Sequence, residues 1–480
     1  MNDGDNLPNI IVILTDDQGA WALGSTGNHE IETGNLDQLA ATGVRFENFF
    51  CTSPVCSPAR ASLLTGKIPS RHGVHDFLRD ANVRPHGYQY LQDHIGYTDT
   101  LAQHGYRCGL CGKWHLGDSL HPQKSFSHWY AHEKGSGPYY AAPMVRDGVL
   151  VVEDGYVTDL ITDDAIEFME GCARENTPFC LSLHYTAPHS PWIDNHPQEI
   201  VNLYEDCPFE TCKQEEPHPW NYKENPKGET LRESLKGYFA AVTAMDRNIG
   251  RVIQTLERLG IQEDTFTFFT SDNGFNCGHH GIWGKGNGTF PQNMFDTSVK
   301  VPAIMHFPGR IPEGMVCEEL VSAYDFMPTL LDFIGLEKPD SEGLPGRSAK
   351  PLLTSGRDIG REHVVVFSEY GPVRMIRTKE WKYVHRFPYG PHELYHLSND
   401  PEERENLYET GAANTIVGDL RSQMEGWFIQ YVDPYLDGSR LPITGMGQLA
   451  PVSHGAKGAL AFNEYLIEDG TVTKRRMVDL

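Results

Sequence analysis

The chain has 480 residues, of which 39% are hydrophobic and 22% are charged, and its formal net charge is −25. This composition is that of a folded globular protein, and the length exceeds one ordinary domain. The negative charge argues against nucleic acid or an anionic membrane surface as a partner, and it makes any local cluster of cationic side chains informative.

The N-terminal residues carry no recognisable targeting signal. Residues 1–9 are polar and acidic, and the apolar run from Ile10 to Leu14 is too short for a signal peptide or a membrane span. The 10 cysteines of so long a chain do not make the dense framework of a small disulfide-stabilised domain. We therefore expect a cytoplasmic location, no membrane contact and reduced thiols.

The first predicted strand, Asn9 to Leu14, is a nearly continuous β-branched run, as in strands that are buried on both faces of a parallel sheet. Asp16 and Asp17 follow it. In open α/β sheets the carboxyl ends of the strands face the ligand crevice, so this pair is placed for function. Capping of the next turn by the same carboxylates is an equally good interpretation of the segment alone.

Cys56 precedes a predicted helix, because Pro58 suits the first helical turn and residues 59–64 favour helix. A side chain at that position faces unpaired amide groups and the positive end of the helix dipole, with Arg60 one turn further on. This environment would activate a nucleophile or stabilise an anion. The alternative for a single cysteine is a buried structural thiol.

Further predicted strands also end in polar residues. Strands over 106–111 and 178–183 are followed by four such side chains, namely Lys113, His115, His184 and His189. Between them, apolar residues at helical spacing predict a covering helix over 157–169. A later strand over 265–270 ends in Asp272 and Asn273, and the glycine-rich loop after it carries Lys285.

Two segments between these strands have clear patterns of their own. Residues 194–230 lose periodicity, which predicts a surface insertion that lines the substrate. Apolar residues at helical spacing from Leu235 to Leu259, closed by Gly260, predict the longest helix of the chain.

The chain changes character after about residue 355, and we predict two domains, residues 1–355 and 356–480. Short strands over 364–368, 373–377 and 381–384 predict a small antiparallel sheet. A helix over 415–432 is expected to pack on it, and the tail from Ser439 is expected to lie over the large domain.

The polar strand ends are predicted to converge at one edge of one sheet, because packing alone would scatter them over both edges. Their oxygen ligands suit Ca²⁺, with Mg²⁺ as the alternative, whereas Zn²⁺ would need more His or Cys. The oxygen set consists of Asp16, Asp17, Asp272 and Asn273. The cationic set, which suits an anionic tetrahedral group, consists of Arg60, Lys113, His115, His189 and Lys285.

Several motifs, in order between about residues 8 and 435, resemble those of the type I sulfatases. The stretch from Cys56 to Gly66 matches the maturation motif Cys-x-Pro-x-Arg followed by x-Ser-Leu-x-Thr-Gly, with Ala59 at a variable position. Gly-Lys-Trp-His-Leu-Gly at 112–117 and Glu-Leu-Tyr-His-Leu at 393–397 are similar to two further motifs of that family.

This resemblance implies an α/β, alkaline-phosphatase-like sandwich, with a large, mostly parallel central sheet flanked by helices and a smaller C-terminal α+β subdomain. It implies that a sulfatase-maturing enzyme oxidises Cys56 to formylglycine, whose hydrated aldehyde attacks sulfur and whose oxygen joins the metal ligands. The loop around Lys285 resembles bacterial branches that act on sulfated sugars. The implied substrate is therefore a sulfated carbohydrate, such as a glycosaminoglycan fragment, that is cleaved by exo action.

The resemblance also implies roles for single residues. Arg60 and His115 orient the nucleophile, and His115 takes its second hydroxyl proton when sulfate is expelled. Lys113 and Lys285 bind sulfate oxygens, and His189 contacts the sulfate and protonates the leaving alcohol. Contacts to the sugar are expected from His184, Trp192, His218, Trp220, His454 and Lys457.

Three other functions compete with this interpretation. A relative could use the same formylglycine on phosphonate monoesters or phosphodiesters. A binding protein could hold sulfated glycans without hydrolysing them, with Cys56 unmodified. A two-zinc phosphatase is disfavoured, because the oxygen set lacks the histidines that zinc would need. The sequence does not define an oligomeric state.

Overall fold

A computed structural model describes residues 7–79, 87–221, 223–339, 343–356, 359, 361, 365–411, 414–452, 461–462, 465–468 and 471–474. Two sheets dominate it, one of ten strands and one of four antiparallel strands near the C-terminus. The predicted fold class is confirmed, although the large sheet is mixed: five adjacent strands are parallel, and an antiparallel strand pairs with this group on each side.

The strands up to residue 322 belong to the ten-stranded sheet, except for one short pair. They are Asn9–Thr15 (β1), Val44–Phe50 (β2), Arg107–Gly112 (β3), His128–His132 (β4), Ala142–Arg146 (β5), Val149–Glu153 (β6), Phe179–His184 (β7), Thr265–Ser271 (β8), the short pair Asn276–Cys277 (β9) and Trp283–Gly284 (β10), Ala303–His306 (β11) and Met315–Ser322 (β12). The order across the large sheet is β12-β2-β11-β8-β1-β7-β3-β4-β5-β6.

The C-terminal strands form the small sheet and a separate hairpin. They are Val365–Tyr370 (β13), Val373–Arg377 (β14), Trp381–Arg386 (β15) and Glu393–His396 (β16), followed by the hairpin Tyr465–Glu468 (β17) and Thr471–Lys474 (β18).

The α-helices surround the two sheets. They are Gly34–Ala41 (α1), Cys56–Thr65 (α2), Pro69–His72 (α3), Tyr97–Gln103 (α4), Val157–Arg174 (α5), Gln198–Val201 (α6), Gly228–Leu259 (α7), Asp296–Val299 (α8), Phe326–Phe333 (α9), Lys350–Ser355 (α10) and Asn414–Tyr431 (α11). Among the residues that the structure describes, no helix combines the length and apolar character that crossing a bilayer requires.

The side chains of strand β1 are buried on both faces of the large sheet. They alternate between two hydrophobic cores, with Ile10, Val12 and Leu14 in one and Ile11 and Ile13 in the other. Helices α1, α5 and α7 contribute to the second core, and α4 and α9 contribute to the first. A strand that is buried on both faces needs a continuous apolar run, which is the pattern of this segment.

The structure differs from the predicted elements mainly at the edges of the large sheet. Strands β4–β6 and β12 were not predicted, because none of them shows strict alternation of apolar and polar residues. Helix α7 begins at Gly228, earlier than predicted, since Leu231 is the only large apolar side chain among its first seven residues. Helix α11 packs on the small sheet as expected, with Leu420, Met424 and Phe428 in a common core with Ile376 and Tyr383.

A group of ion pairs connects the small sheet to helix α8 through Asp296. Arg377 lies 3.0 Å from one carboxylate oxygen of Asp296, and Lys382 lies 3.0 Å from the other. Lys382 is fully buried and also pairs with Glu403 at 2.6 Å. Burial opposes the ionised form of Asp296, but Arg377 and Lys382 outweigh burial and hold its pKa well below its usual range.

We predict that Asp296→Ala lowers the free energy of unfolding by about 3 kcal/mol, because it leaves two buried cations short of a partner. Urea unfolding followed by circular dichroism measures the change. The control is Lys379→Ala, which removes an exposed ion pair with Glu319 and should cost at most about 1 kcal/mol. Equal effects of the two substitutions would contradict the prediction.

Candidate active site

Four adjacent strands of the large sheet bring the predicted polar side chains together. Strands β8, β1, β7 and β3 are neighbours and parallel, so their carboxyl ends share one edge. The register aligns these ends, since Thr15 pairs with Ser271, Leu14 with His184, and Gly112 also with His184. The polar residues that follow these strands therefore lie side by side.

The approach of β3 to β7 at this edge is close. Gly112 has a φ of +112°, and a Cβ atom there would lie 1.9 Å from the carbonyl oxygen of His184. Only glycine fits such a backbone contact. The turn then directs Lys113 into the site, where its amide donates to the carbonyl of His184 at 2.8 Å.

Three carboxylates form the centre of the site. Asp16, Asp17 and Asp272 offer oxygen atoms that lie within 4.8 Å of one another, and all three are buried. Burial and repulsion from Asp16 raise the pKa of Asp272 to about 7. Three buried carboxylates this close together can be ionised only if strong positive charge compensates them.

Two orphaned oxygens show that this cluster fits a divalent cation. Asp16 Oδ1 and Asn273 Oδ1 are buried and have no hydrogen-bond partner. The amide nitrogen of Asn273 donates to Asp17 at 2.7 Å, so its oxygen remains available as a ligand. Carboxylate and amide oxygens are the ligands that Ca²⁺ and Mg²⁺ prefer.

Cys56 is the first residue of helix α2, all of whose side chains are buried. Its sulfur lies 2.7 Å from the ammonium of Lys285 and within 4.8 Å of ligand atoms of Asp16 and His189. Burial nevertheless raises the pKa of the thiol to about 12, although Lys113 and Lys285 oppose this shift. An unmodified thiol at this position is therefore neutral and a poor nucleophile.

Arg60 and the two lysines balance the carboxylates. Arg60 Nε donates to Asp272 Oδ2 at 2.8 Å, and Nη1 donates to the carbonyl of Lys113 at 3.2 Å. Burial opposes the charged form of Arg60, but Asp272 and Asp16 outweigh burial and raise its pKa. Lys113 is paired with Asp16, and Lys285 with Asp17.

Two histidines, His115 and His189, also lie in the site. His115 Nε2 lies 3.0 Å from the carbonyl of Leu78, while its Nδ1 is buried and without a partner. Burial and the nearby Lys113 hold the pKa of His115 well below its usual range, so the ring is neutral. His189 Nδ1 lies 2.8 Å from the carbonyl of Ser190, and its Nε2 is 3.6 Å from Asp17.

A cavity of about 340 Å³ opens above Cys56. Four residues of its wall are among the site residues predicted from the sequence, namely Cys56, His115, His189 and Lys285. The sequence did not point to the remaining wall residues, which are Phe77, Leu78, Arg79, Lys134, Gly135, Ser136 and Asn287. These come from loops that carry no strand-end pattern, and the only sequence signal was the glycine-rich context of Lys134 and Asn287.

The expected sugar-contacting residues are not part of this cavity wall in the portion of the chain that the structure describes. His184 lies behind the site, where its Nδ1 is 3.3 Å from the carbonyl of Lys113 and its ring lines a separate small pocket with Arg60. Trp192 bonds to the carbonyl of Pro188, and His218 packs on Trp220. His454 and Lys457 lie outside the described residues.

Comparison with known proteins identifies the class of this site. A family model described as Sulfatase matches residues 8–336, and one described as N-sulphoglucosamine sulphohydrolase, C-terminal, matches residues 278–429. The fold and the site thus define a hydrolase of sulfuric esters. The chain belongs to the sulfatase family, whose members generally use formylglycine and a divalent metal.

Two curated relatives cover most of the chain. An N-acetylglucosamine-6-O-sulfatase of Bacteroides thetaiotaomicron is 29% identical to this chain. The alignment covers 89% of this chain and 87% of the relative. An ulvan-active sulfatase of Formosa agariphila is 30% identical, over 88% of this chain and 81% of its own length.

Solved structures share the fold. One of them is a complex of a protein with its substrate D-glucosamine-2-N,6-O-disulfate. It has a TM-score of 0.75 and 26% sequence identity, and the match covers 89% of this chain and 98% of that protein. A phosphonate monoester hydrolase of Agrobacterium radiobacter has a TM-score of 0.70 at 20% identity, over 98% and 100% of the two chains, a likeness of fold alone.

We predict that Lys285→Ala lowers turnover of a chromogenic aryl sulfate at least about 100-fold, because it removes a buried cation beside Cys56. Steady-state kinetics on matured protein measures the loss, and near-ultraviolet circular dichroism checks that the fold is retained. Lys300→Ala, at a partly exposed lysine that pairs with Glu47, should keep the normal rate. Near-normal turnover of Lys285→Ala would remove this lysine from the catalytic set.

Proposed function

We propose that the chain hydrolyses an O-sulfate ester on a terminal sugar of a sulfated carbohydrate, with formylglycine at position 56 and Ca²⁺ at the carboxylate cluster. The observation that carries this proposal is the position of Cys56. It begins a buried helix, lies beside Lys285 and the carboxylate cluster, and opens into a cavity with a cationic wall. The sugar sulfatases among the relatives support the substrate class.

The cation would be held by Asp16, Asp17, Asp272 and the side-chain oxygen of Asn273, together with an oxygen at position 56. The bound cation would lower the pKa of a hydroxyl group at that position, and formylglycine would supply this hydroxyl from its hydrated aldehyde. Maturation by a sulfatase-maturing enzyme is therefore part of the proposal.

The two lysines bind the sulfate group. Each is paired with a carboxylate of the cluster, Lys113 with Asp16 and Lys285 with Asp17. A cation held by Asp16 and Asp17 would compete with the two ammonium groups for these carboxylates, which would leave Lys113 and Lys285 available to an anion in the cavity. Positive charge there stabilises the equatorial oxygens of sulfate as charge develops on them.

Arg60 and the histidines orient and move protons. Arg60 holds Asp272 and the Lys113 turn in place. His115 donates from Nε2 to Leu78, which leaves Nδ1 as the acceptor for a proton from position 56 when sulfate is expelled. His189 lies close to Asp17 and protonates the leaving alcohol. Burial lowers the pKa of His189, and Asp16 and Asp17 oppose that shift.

The mass of the peptide that contains Cys56, from protein made together with a sulfatase-maturing enzyme, tests the nucleophile. We predict the mass of the aldehyde in place of the thiol, and turnover of aryl sulfate in proportion to its fraction. Matched aryl phosphonate should react more slowly. Activity in protein whose Cys56 is entirely unmodified would contradict the proposal, as would faster turnover of the phosphonate.

We also predict that chelation abolishes activity and that Ca²⁺ restores it better than Mg²⁺, because the cluster offers carboxylate and amide oxygens. Thermal unfolding provides a second measurement, since a cation relieves the repulsion among the carboxylates and raises Tm. Asp17→Asn should lose most of the Ca²⁺-dependent rise in Tm. An unchanged rise in that variant would place the cation elsewhere.

A further inference from the structure

The wall of the cavity outside the sulfate-binding end is cationic. Besides Lys285, it contains Arg79 and Lys134, and no Asp or Glu is among the described residues that line it. The whole chain has a formal net charge of −25, so two additional cations on the described part of this wall are unusual for this protein. Such a surface favours an anionic ligand.

Both cations lie beside the catalytic centre, because each is adjacent in sequence to a residue that touches His115. Arg79 follows Leu78, whose carbonyl lies 3.0 Å from His115 Nε2. Lys134 precedes Gly135, where a Cβ atom would lie 2.2 Å from the ring of His115. The two segments therefore flank the same imidazole, and Arg79 and Lys134 both line the cavity above Cys56.

The C-terminal tail holds Arg79 in position. The amide of Arg79 donates to the carbonyl of Gln448 at 3.0 Å, and its guanidinium donates to the carbonyl of Met446 at 3.3 Å. A Cβ atom on Gly447 would lie 2.4 Å from the side-chain stem of Arg79, so backbone and stem are in close contact. An arginine held in this way loses little conformational freedom when it binds a ligand.

We infer that Arg79 and Lys134 form a subsite for a second anionic group, a sulfate or a carboxylate, on the sugar that carries the scissile sulfate. This inference rests on the proposed function, because it names the substrate class of the same site. The scissile sulfate already has Lys113 and Lys285. A further anionic substituent pairs with the guanidinium, whose planar fork matches both sulfate and carboxylate, and with the exposed ammonium of Lys134.

The test compares three substrates on matured enzyme at constant ionic strength: a monosulfated amino sugar, its disulfated form, and a monosulfated uronic acid, whose carboxylate lies on the same sugar as the scissile sulfate. We expect kcat/KM to be at least about 10-fold higher for one of the two dianionic substrates, since a charge-assisted contact is worth about that factor. The dianionic substrate that is preferred identifies the group as sulfate or carboxylate. The preference should fall about 10-fold in the double variant Arg79→Gln, Lys134→Gln.

Control variants separate a local contact from general attraction by charge. Arg174→Gln with Lys379→Gln removes the same charge at exposed positions and should keep the wild-type preference. Arg79→Lys keeps the charge and should retain part of the preference. Because Lys134 is exposed, Lys134→Gln alone keeps the test possible if the Arg79 variants do not fold.

Binding provides a readout that does not depend on maturation. Calorimetric titration of the Cys56→Ala chain should give a tighter Kd for the preferred dianionic sugar, and the two glutamine substitutions should remove that difference. Hydrolysis of the monosulfated sugar with no preference for either dianionic one would overturn the subsite alone. Failure to hydrolyse any of the three by protein with the aldehyde in place would overturn the proposed function.

Discussion

The balance of charge at the carboxyl edge of the central strands is the interaction on which the site depends. Three buried carboxylates lie within 4.8 Å of one another, and Arg60, Lys113 and Lys285 are drawn from three separate segments to compensate them. Neither set could be buried alone, because an unpaired charge in the interior is very costly. The same cluster fits a divalent cation, whose charge would add to that compensation.

This balance also explains why Cys56 lies where it does. The first turn of helix α2 brings Cys56 to the cluster, and Arg60 reaches Asp272 from one turn further on, so one buried helix supplies both groups. The helix terminus was expected to activate the thiol, but burial outweighs it and keeps the sulfur protonated. The position therefore suits a residue that gains its reactivity by modification and from a metal ion.

The C-terminal part of the chain contributes to the wall of the cavity as well as to stability. Gln448, on the tail, bonds through its backbone to Phe77 and Arg79, and through its side chain to His75 and Gly73. The segment between them includes Leu78, whose carbonyl orients His115. The C-terminal tail thus shapes the segment that aligns His115.

The sequence alone determined the parallel central strands, the long covering helix and the polar residues that follow each strand. Those features are local: a continuous apolar run makes a buried strand, and parallel strands place their ends at one edge. Only the tertiary structure decided that Arg79, Lys134 and Asn287 join the cavity wall and that His184 lies behind it. These placements depend on contacts between distant loops and the tail, and such contacts leave no periodic pattern in the chain.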